Sequence, residues 1–302
     1  TYMDNCFDTI GKAVLDTAVA GLECSRKTKL SKEESIVRLP VRVNWGGGWS
    51  DTPPYCMEHG GTVLNAAVLL DGNYPIEAIA RRIEGNRIVL ASADSGAEQE
   101  FTDIKQLQDS RNPYDPFALH KAALIACGLI PYSENRSIEE ITNQLGSGLY
   151  LSTRVINIPR GSGLGTSSIL AGACVKALYE ITGRRLEEDE LYNRVLCMEQ
   201  IMSTGGGWQD QYGGVFSGVK LLQTESGFDQ TPLVRWLPDQ LFTNPEYRDC
   251  HLLYYTGITR TAKGILGEIV RSMFLNSGNH LALLSEMKIH ALDMNEAILR
   301  GN

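Results

Sequence analysis

The chain has 302 residues, 43% of them hydrophobic, and a formal charge of −8, which is enough length for two domains with their own cores. The acidic balance argues against nucleic acid and anionic membranes as partners; no run reaches the roughly 18 apolar residues of a membrane span, and residues 1–30 lack the basic start and long apolar core of a signal peptide. Seven widely spaced cysteines without a C-x-x-C, and five scattered histidines, suit reduced thiols in a cytoplasm rather than a disulfide frame or a zinc site.

In chain order, residues 4–23 place Phe7, Ile10, Val14, Leu15, Ala18, Val19 and Leu22 near a 3.6 period, which predicts a helix. It reads as an adaptor, the junction to something upstream, joined by a polar connector to the body. Ile36–Trp45 alternates and predicts one strand, with Arg42 and Asn44 on one side and Val41, Val43 and Trp45 on the other. A non-regular loop follows, Gly46-Gly47-Gly48-Trp49-Ser50-Asp51-Thr52-Pro53-Pro54. It is either a plain turn or a sugar site, with Trp49 as a stacking platform and Asp51 as a hydroxyl acceptor. Gly61–Leu70, Pro75–Ile83, Arg87–Ala91 and Glu98–Phe101 predict further strands of one antiparallel or mixed sheet. Asp115–Cys127 predicts a helix, Ser133–Ser147 a surface loop or short helix, and Leu149–Ile158 a strand.

The run Pro159-Arg160-Gly161-Ser162-Gly163-Leu164-Gly165-Thr166-Ser167-Ser168 then opens a helix over Ile169–Ile181. Glycines allow positive φ and close approach, the free N–H groups of the first helical turn face outward, and three hydroxyls can touch a phosphate or its magnesium ion. There is no Lys before Thr166, so this is not the P-loop pattern, and no early βαβ unit makes it a dinucleotide fingerprint. A capped helix start is the alternative to a phosphate loop. Glu187–Met202 predicts a second helix, with Glu199 inside its greasy end as either a solvated residue or a metal ligand. Gly205-Gly206-Gly207 breaks the chain before Trp208-Gln209-Asp210-Gln211-Tyr212-Gly213-Gly214. There Asp210 is either a turn aspartate or a catalytic carboxylate held where a ligand comes close. Beyond it come a strand at Val215–Leu222, a loop from Pro232 to Pro245, a strand at His251–Tyr255, a turn from Thr256 into a helix at Ala262–Leu275, and a last helix from His280 to Leu299.

Together these motifs resemble the GHMP kinase superfamily (galactokinase, homoserine, mevalonate and phosphomevalonate kinases) over about residues 36–302. Within it the chain looks most like the L-fucokinase domain of bifunctional fucokinase/GDP-fucose pyrophosphorylases. Pro159–Ser168 matches the family's P-x-x-x-G-L-G-S-S loop with Thr166 in the first Ser place. Leu39-Pro40-Val41-Arg42-Val43-Asn44 with Gly-Gly-Trp-Ser-Asp-Thr-Pro-Pro resembles the fucokinase form of the first motif, and Trp208–Gly214 resembles the segment of the catalytic aspartate. The resemblance implies an α+β, GHMP kinase-like two-domain fold, with a ribosomal protein S5 domain 2-like N-terminal domain and a ferredoxin-like C-terminal domain. The expected division is an N-terminal helix and linker (1–34), an ATP and sugar domain (35–215) and a C-terminal domain (216–302).

It also implies the chemistry. ATP phosphates would be bound by Gly161, Ser162, Gly163, Leu164, Gly165, Thr166, Ser167 and Ser168, with Mg²⁺ held by Ser167 and Glu199, the latter eleven positions before Asp210 as in mevalonate kinases. Asp210 would be the base, with Arg42 paired to it, and Trp49, Asp51 and Gly207 would line the sugar. Gly48 and Trp49 stand where galactokinases carry Glu and His, which suits a 6-deoxy hexose. The implied reaction is transfer of the ATP γ-phosphate to O1 of L-fucose, for GDP-fucose salvage. Other readings are a heptose phosphate or galactose type of sugar 1-kinase, and a catalytically silent sugar-binding module. The family's third motif, GAGGGG, is absent from these residues. The C-terminal domain is therefore expected to be incomplete here, and a nucleotidyltransferase domain is expected upstream.

Overall fold

A computed structural model describes residues 9, 12, 13, 15–20, 22, 24, 26–110, 112, 114–159, 161–202, 206–248, 250–255, 270–273, 275 and 277–301. Among them the chain forms two compact units, each drawn from separated segments: 1–39, 75–156 and 170–205 in the first, and 40–74, 157–169 and 206–302 in the second.

The first unit is built on a five-stranded sheet of β1 (Glu34–Leu39), β4 (Ile76–Ile83), β7 (Gly148–Val155), β5 (Ile88–Ser92) and β6 (Ala97–Phe101), in the order β1-β4-β7-β5-β6. Only the β5–β7 pairing is parallel, so the sheet is mixed. Helices α2 (Ile104–Gln108), α3 (Ala118–Ala126), α4 (Ile138–Leu145) and α6 (Glu188–Ile201) belong to this unit, as does most of α5 (Thr166–Ile181). The segment 133–147, expected at the surface, buries Ile138, Ile141, Thr142 and Leu145 of α4 behind a Ser137/Glu140 capping box. Of the expected N-terminal helix, residues 15–20 are helical and the rest lies largely outside the described residues.

The second unit holds the antiparallel sheet β2 (Val41–Gly46), β3 (Thr62–Val68), β8 (Val219–Gln223) and β9 (Leu233–Trp236), with α1 (Tyr55–His59), α7 (Gln209–Val215), α8 (Gln240–Thr243), α9 (Pro245–Arg248) and α10 (Gly278–Arg300). The two-residue period of its strands separates two faces. Leu64, Ala66, Val219 and Leu221 pack with Ala291 and Ile298 of α10, and Trp45 and Val68 lie against the same cluster. On the alternate positions Asn44 pairs in register with Asn65, and Asn65 with Lys220. That polar row faces α7.

Several expectations change. The single strand Ile36–Trp45 is two strands in two sheets, because Pro40 separates them and has no N–H for a ladder. Asp210 sits on a helix rather than in a turn. His251–Tyr255 forms no strand and is largely exposed, whereas the expected loop 232–245 contains β9 and α8. Of the turn and helix expected over 256–275, residues 270–273 are helical and most of the rest lies outside the described residues.

Glycine inside α7 has a packing reason. A Cβ at Gly214 would stand 2.3 Å from Ile169 Cδ1, and one at Gly213 would stand 2.7 Å from Asn65 Nδ2. The helix therefore lies closer to its neighbours than any side chain would allow. Its far end is held by Lys220, fully buried, whose Nζ donates to the carbonyls of Phe216 at 2.6 Å, Gly218 at 2.9 Å and Gly213 at 3.2 Å. Burial pushes that amine down to about 7. Lys220→Met would remove all of these bonds while the Gly218 carbonyl kept only the Ala67 N–H, so stability should fall by on the order of 2 kcal/mol. The measurement is a lower urea midpoint at unchanged slope; an unmoved midpoint would mean the desolvation cost of the amine cancels its bonds.

Candidate active site

The site builds outward from β2. Arg42 lies two positions from Asn44, on the face that meets α7. Its Nε donates to Asp210 Oδ1 at 2.6 Å, and its Nη2 lies 2.6 Å from the same oxygen. Its Nη1 donates to the carbonyl of Gly163 at 2.7 Å, and its backbone N–H donates to the carbonyl of Leu164 at 3.3 Å. One residue thus binds the acid and the glycine loop together. The pair is half-sheltered, with side-chain exposures of 12% for Arg42 and 21% for Asp210, so its charge-assisted bonds are stronger than those of a surface pair. Asp210 Oδ2 takes no hydrogen bond from the described residues.

The loop has the backbone its glycines foretell, with φ of 71°, 78° and 71° at Gly161, Gly163 and Gly165. A Cβ at Gly165 would lie 2.9 Å from Asp210 Oδ1 and 3.2 Å from Arg42 Nε, so the acid stands directly against the loop. A Cβ at Gly163 would meet nothing. The loop runs into α5 at Thr166, and Ile169 N–H closes the first helical turn on the Gly165 carbonyl. The buried Ser162 Oγ has no hydrogen-bond partner among the described residues, an orphan of the kind a bound polar ligand satisfies. Thr166 is half-buried and Ser167 is exposed. Arg160 lies outside the described residues.

The residues expected to line a sugar fall out differently. Asp51 is fully buried. Its Oδ2 accepts from the Gln209 backbone N–H at 3.1 Å, and its Oδ1 accepts from Gln209 Nε2 at 2.9 Å. Both oxygens are therefore engaged inside the protein. Gly207 passes so close that a Cβ there would be 1.9 Å from Asp51 Oδ2; glycine is required at 207 for this approach. Trp49 is half-buried, has a left-handed φ of 71°, and packs against the cluster of Tyr55, Met273 and Leu284. Bulky residues rarely adopt that conformation, which marks the loop as strained.

Ser167 lies in the second compact unit and Glu199, 4% exposed, in the first. Among the described residues no group of three or more His, Cys, Asp and Glu side chains gathers to hold a metal. Ser167 and Glu199 each carry a hard oxygen donor of the kind Mg²⁺ takes, most of its other ligands coming from water and phosphate.

Sequence reasoning did not single out Gln209, Asn44, Asn65 or Lys220. For Asn65 and Lys220 the available signal was a polar residue inside a largely apolar strand, in Thr62–Val68 and Val219–Gln223.

Residues 135–218, which contain the glycine loop and Asp210, match the GHMP kinases N terminal domain. The chain belongs to the GHMP kinase superfamily. It is 51% identical over 300 residues to "L-fucokinase/L-fucose-1-P guanylyltransferase" of Bacteroides fragilis, covering 98% of this chain and 31% of that one. It is 38% identical over 256 residues to "Bifunctional fucokinase/GDP-fucose pyrophosphorylase" of Arabidopsis thaliana, covering 83% of this chain and 23% of that one. The chain thus spans less than a third of the length of these two curated relatives. Among solved structures, Streptococcus pneumoniae phosphomevalonate kinase in complex with phosphomevalonate and AMPPNP superposes with a TM-score of 0.57 at 13% identity, over 89% of this chain and 75% of that one. This GHMP kinase fold accounts for the two sheets and the mixed α+β order.

The burial of Asp51 has a pH signature. Desolvation raises its carboxyl from 3.8 to about 6; the Gln209 N–H opposes this, Asp210 adds to it, and Arg42 counters it. Since the folded value lies above the unfolded one, the stabilising contribution is complete below pH 4 and is lost as pH rises through about 6. Between pH 4 and 7.5 the stability gap should move in favour of Asp51→Asn over the wild type, by on the order of 3 kcal/mol. Urea unfolding of both proteins across that range is the check, and a flat gap would show that the carboxylate is not desolvated.

Proposed function

We propose that this chain is a sugar 1-kinase acting on L-fucose, transferring the γ-phosphoryl group of ATP to the anomeric O1 to give L-fucose 1-phosphate. The observation that carries the reading is the double attachment of Arg42, to Asp210 on one side and to the Gly163 and Leu164 carbonyls on the other. It sets an acid beside a loop built for anions. The fucokinase names of the two relatives support L-fucose as acceptor. The match of residues 135–218 to a kinase domain supports assigning the kinase half of those double names to this chain.

In the proposed mechanism the N–H groups of 161–168 and the start of α5 bind the β- and γ-phosphates. The sugar O1–H gives its proton to Asp210 Oδ2 as the O1–phosphorus bond forms and the bridging oxygen leaves with ADP. Arg42 holds Oδ1, so that Oδ2 is the oxygen offered to the substrate, and its charge offsets that of the transferring group. Mg²⁺, when bound with ATP, neutralises phosphate charge; Ser167 and Glu199 are its candidate donors. Trp49 is the candidate for the apolar sugar face. Asp51 supports Gln209 in this scheme and does not touch the sugar. The family division at 35–215 and 216–302, a covalently linked guanylyltransferase domain and a cytoplasmic setting complete the proposal. The thiols of the described cysteines are free, and no described helix is long and apolar enough to cross a membrane.

ADP release measured with L-fucose, D-arabinose, galactose and heptose 7-phosphate separates the readings. L-Fucose should give the highest kcat/KM, and Asp210→Asn should cut kcat by about 10²–10⁴-fold while ATP still binds. A preference for the heptose phosphate would replace the substrate. Transfer to none of the four would favour a sugar-binding module.

A further inference from the structure

Gln209 immediately precedes the proposed base and uses every polar atom it has. Its N–H and Nε2 donate to the two oxygens of Asp51, at 3.1 and 2.9 Å. Its Oε1 accepts from Asn44 Nδ2 at 2.8 Å, and its carbonyl accepts from Asn65 Nδ2 at 3.2 Å. The partners are themselves fixed. Asp51 and Asn65 are fully buried, and Asn44 and Asn65 are cross-strand neighbours on β2 and β3.

Helix α7 needs such external support. It has seven residues, two of them glycine, and its N-cap residue Trp208 offers no side-chain cap. A helix this short and glycine-rich has almost no stability of its own. Its first N–H is satisfied by Asp51, some 158 positions away in sequence. The direction of Asp210 is therefore set by what holds its neighbour.

We infer that Gln209 is a positioning residue for phosphoryl transfer. Clamped by Asp51, Asn44 and Asn65, it fixes the first turn of α7 and thereby aims Asp210 at Arg42 and the glycine loop. It touches no reacting atom. The catalytic consequence rests on the kinase reading above, whereas the clamp rests on geometry alone.

Donor and acceptor roles make the clamp testable by exchange. Ionised Asp51 only accepts, and Gln209 Nε2 only donates. Gln209→Glu sets acceptor against acceptor. Asp51→Asn sets amide against amide, because turning the Gln209 amide over would break its bond from Asn44. The double exchange Gln209→Glu with Asp51→Asn restores every pairing with the bond reversed: the new amide donates to the new carboxylate, which still accepts from Asn44.

The experiment combines kinetics with crystal structures of the two single variants, the double variant and Gln209→Ala, which removes the amide without adding charge and serves if a charged single does not fold. Each single should lose about 10²-fold in kcat with KM for ATP within about threefold, and the double should recover to within about fivefold of the wild type. In the structures the 2.6 Å contact between Arg42 and Asp210 should be lost in the singles and regained in the double. Singles that keep this contact and full turnover, or a double no better than its worse parent, would overturn the inference. If the wild type phosphorylates no sugar, the kinase reading fails by itself and the crystal structures still decide the clamp.

Discussion

Arg42 divides its donors between two partners that are distant in sequence. Two guanidinium nitrogens converge on one oxygen of Asp210, and the third holds the Gly163 carbonyl. A lysine could not do both, since its ammonium is a point charge on a flexible stem while the guanidinium fork is planar and rigid. Gly165 follows from the same geometry, because any side chain there would collide with the pair. On the proposed reading the loop's glycines would serve two purposes, making N–H groups available to an anion and letting Asp210 stand directly against the loop.

Much of what fixes Asp210 lies on one face of one sheet. The opposite face of β2, β3 and β8 is an apolar layer under α10. The α7 face instead carries Asn44, Asn65 and Lys220 in register, with Asp51 beside them. An apolar row would bind a helix more cheaply, but a greasy contact lets it slide and rotate. Hydrogen bonds to both ends of α7 set its register, at the cost of burying an aspartate and an amine whose titrations are displaced in opposite senses from their ordinary ranges. That the candidate site is held by polar bonds while the opposite sheet face is held by packing agrees with the general demand that reacting groups be preorganised.

How much of this could be read from the residues depends on the scale of the feature. The 161–168 loop was legible because three alternating glycines followed by hydroxyls have a local meaning. Asp210 was visible as a candidate, but its helix was not, since Gly213 and Gly214 look like punctuation until their neighbours are known. The change of sheet is marked in sequence only by Pro40, because the alternation of apolar residues runs through it unbroken. The composition of its loop makes Asp51 a candidate for a sugar hydroxyl. Whether a carboxylate turns outward to a ligand or inward to a backbone N–H is decided by tertiary contacts with Gln209, 158 positions further on. Gln209 carries no local signal of its role at all.

Arg42 holds the loop and the acid at once. Calorimetric ATP binding beside single-turnover transfer, for Arg42→Lys and the wild type, tests this directly. Both should fall in Arg42→Lys, affinity by about tenfold because the loop loses its tether and transfer by about 10²-fold because the acid loses its aim. Unchanged ATP affinity alongside reduced transfer would contradict it, since Arg42 would then serve Asp210 alone.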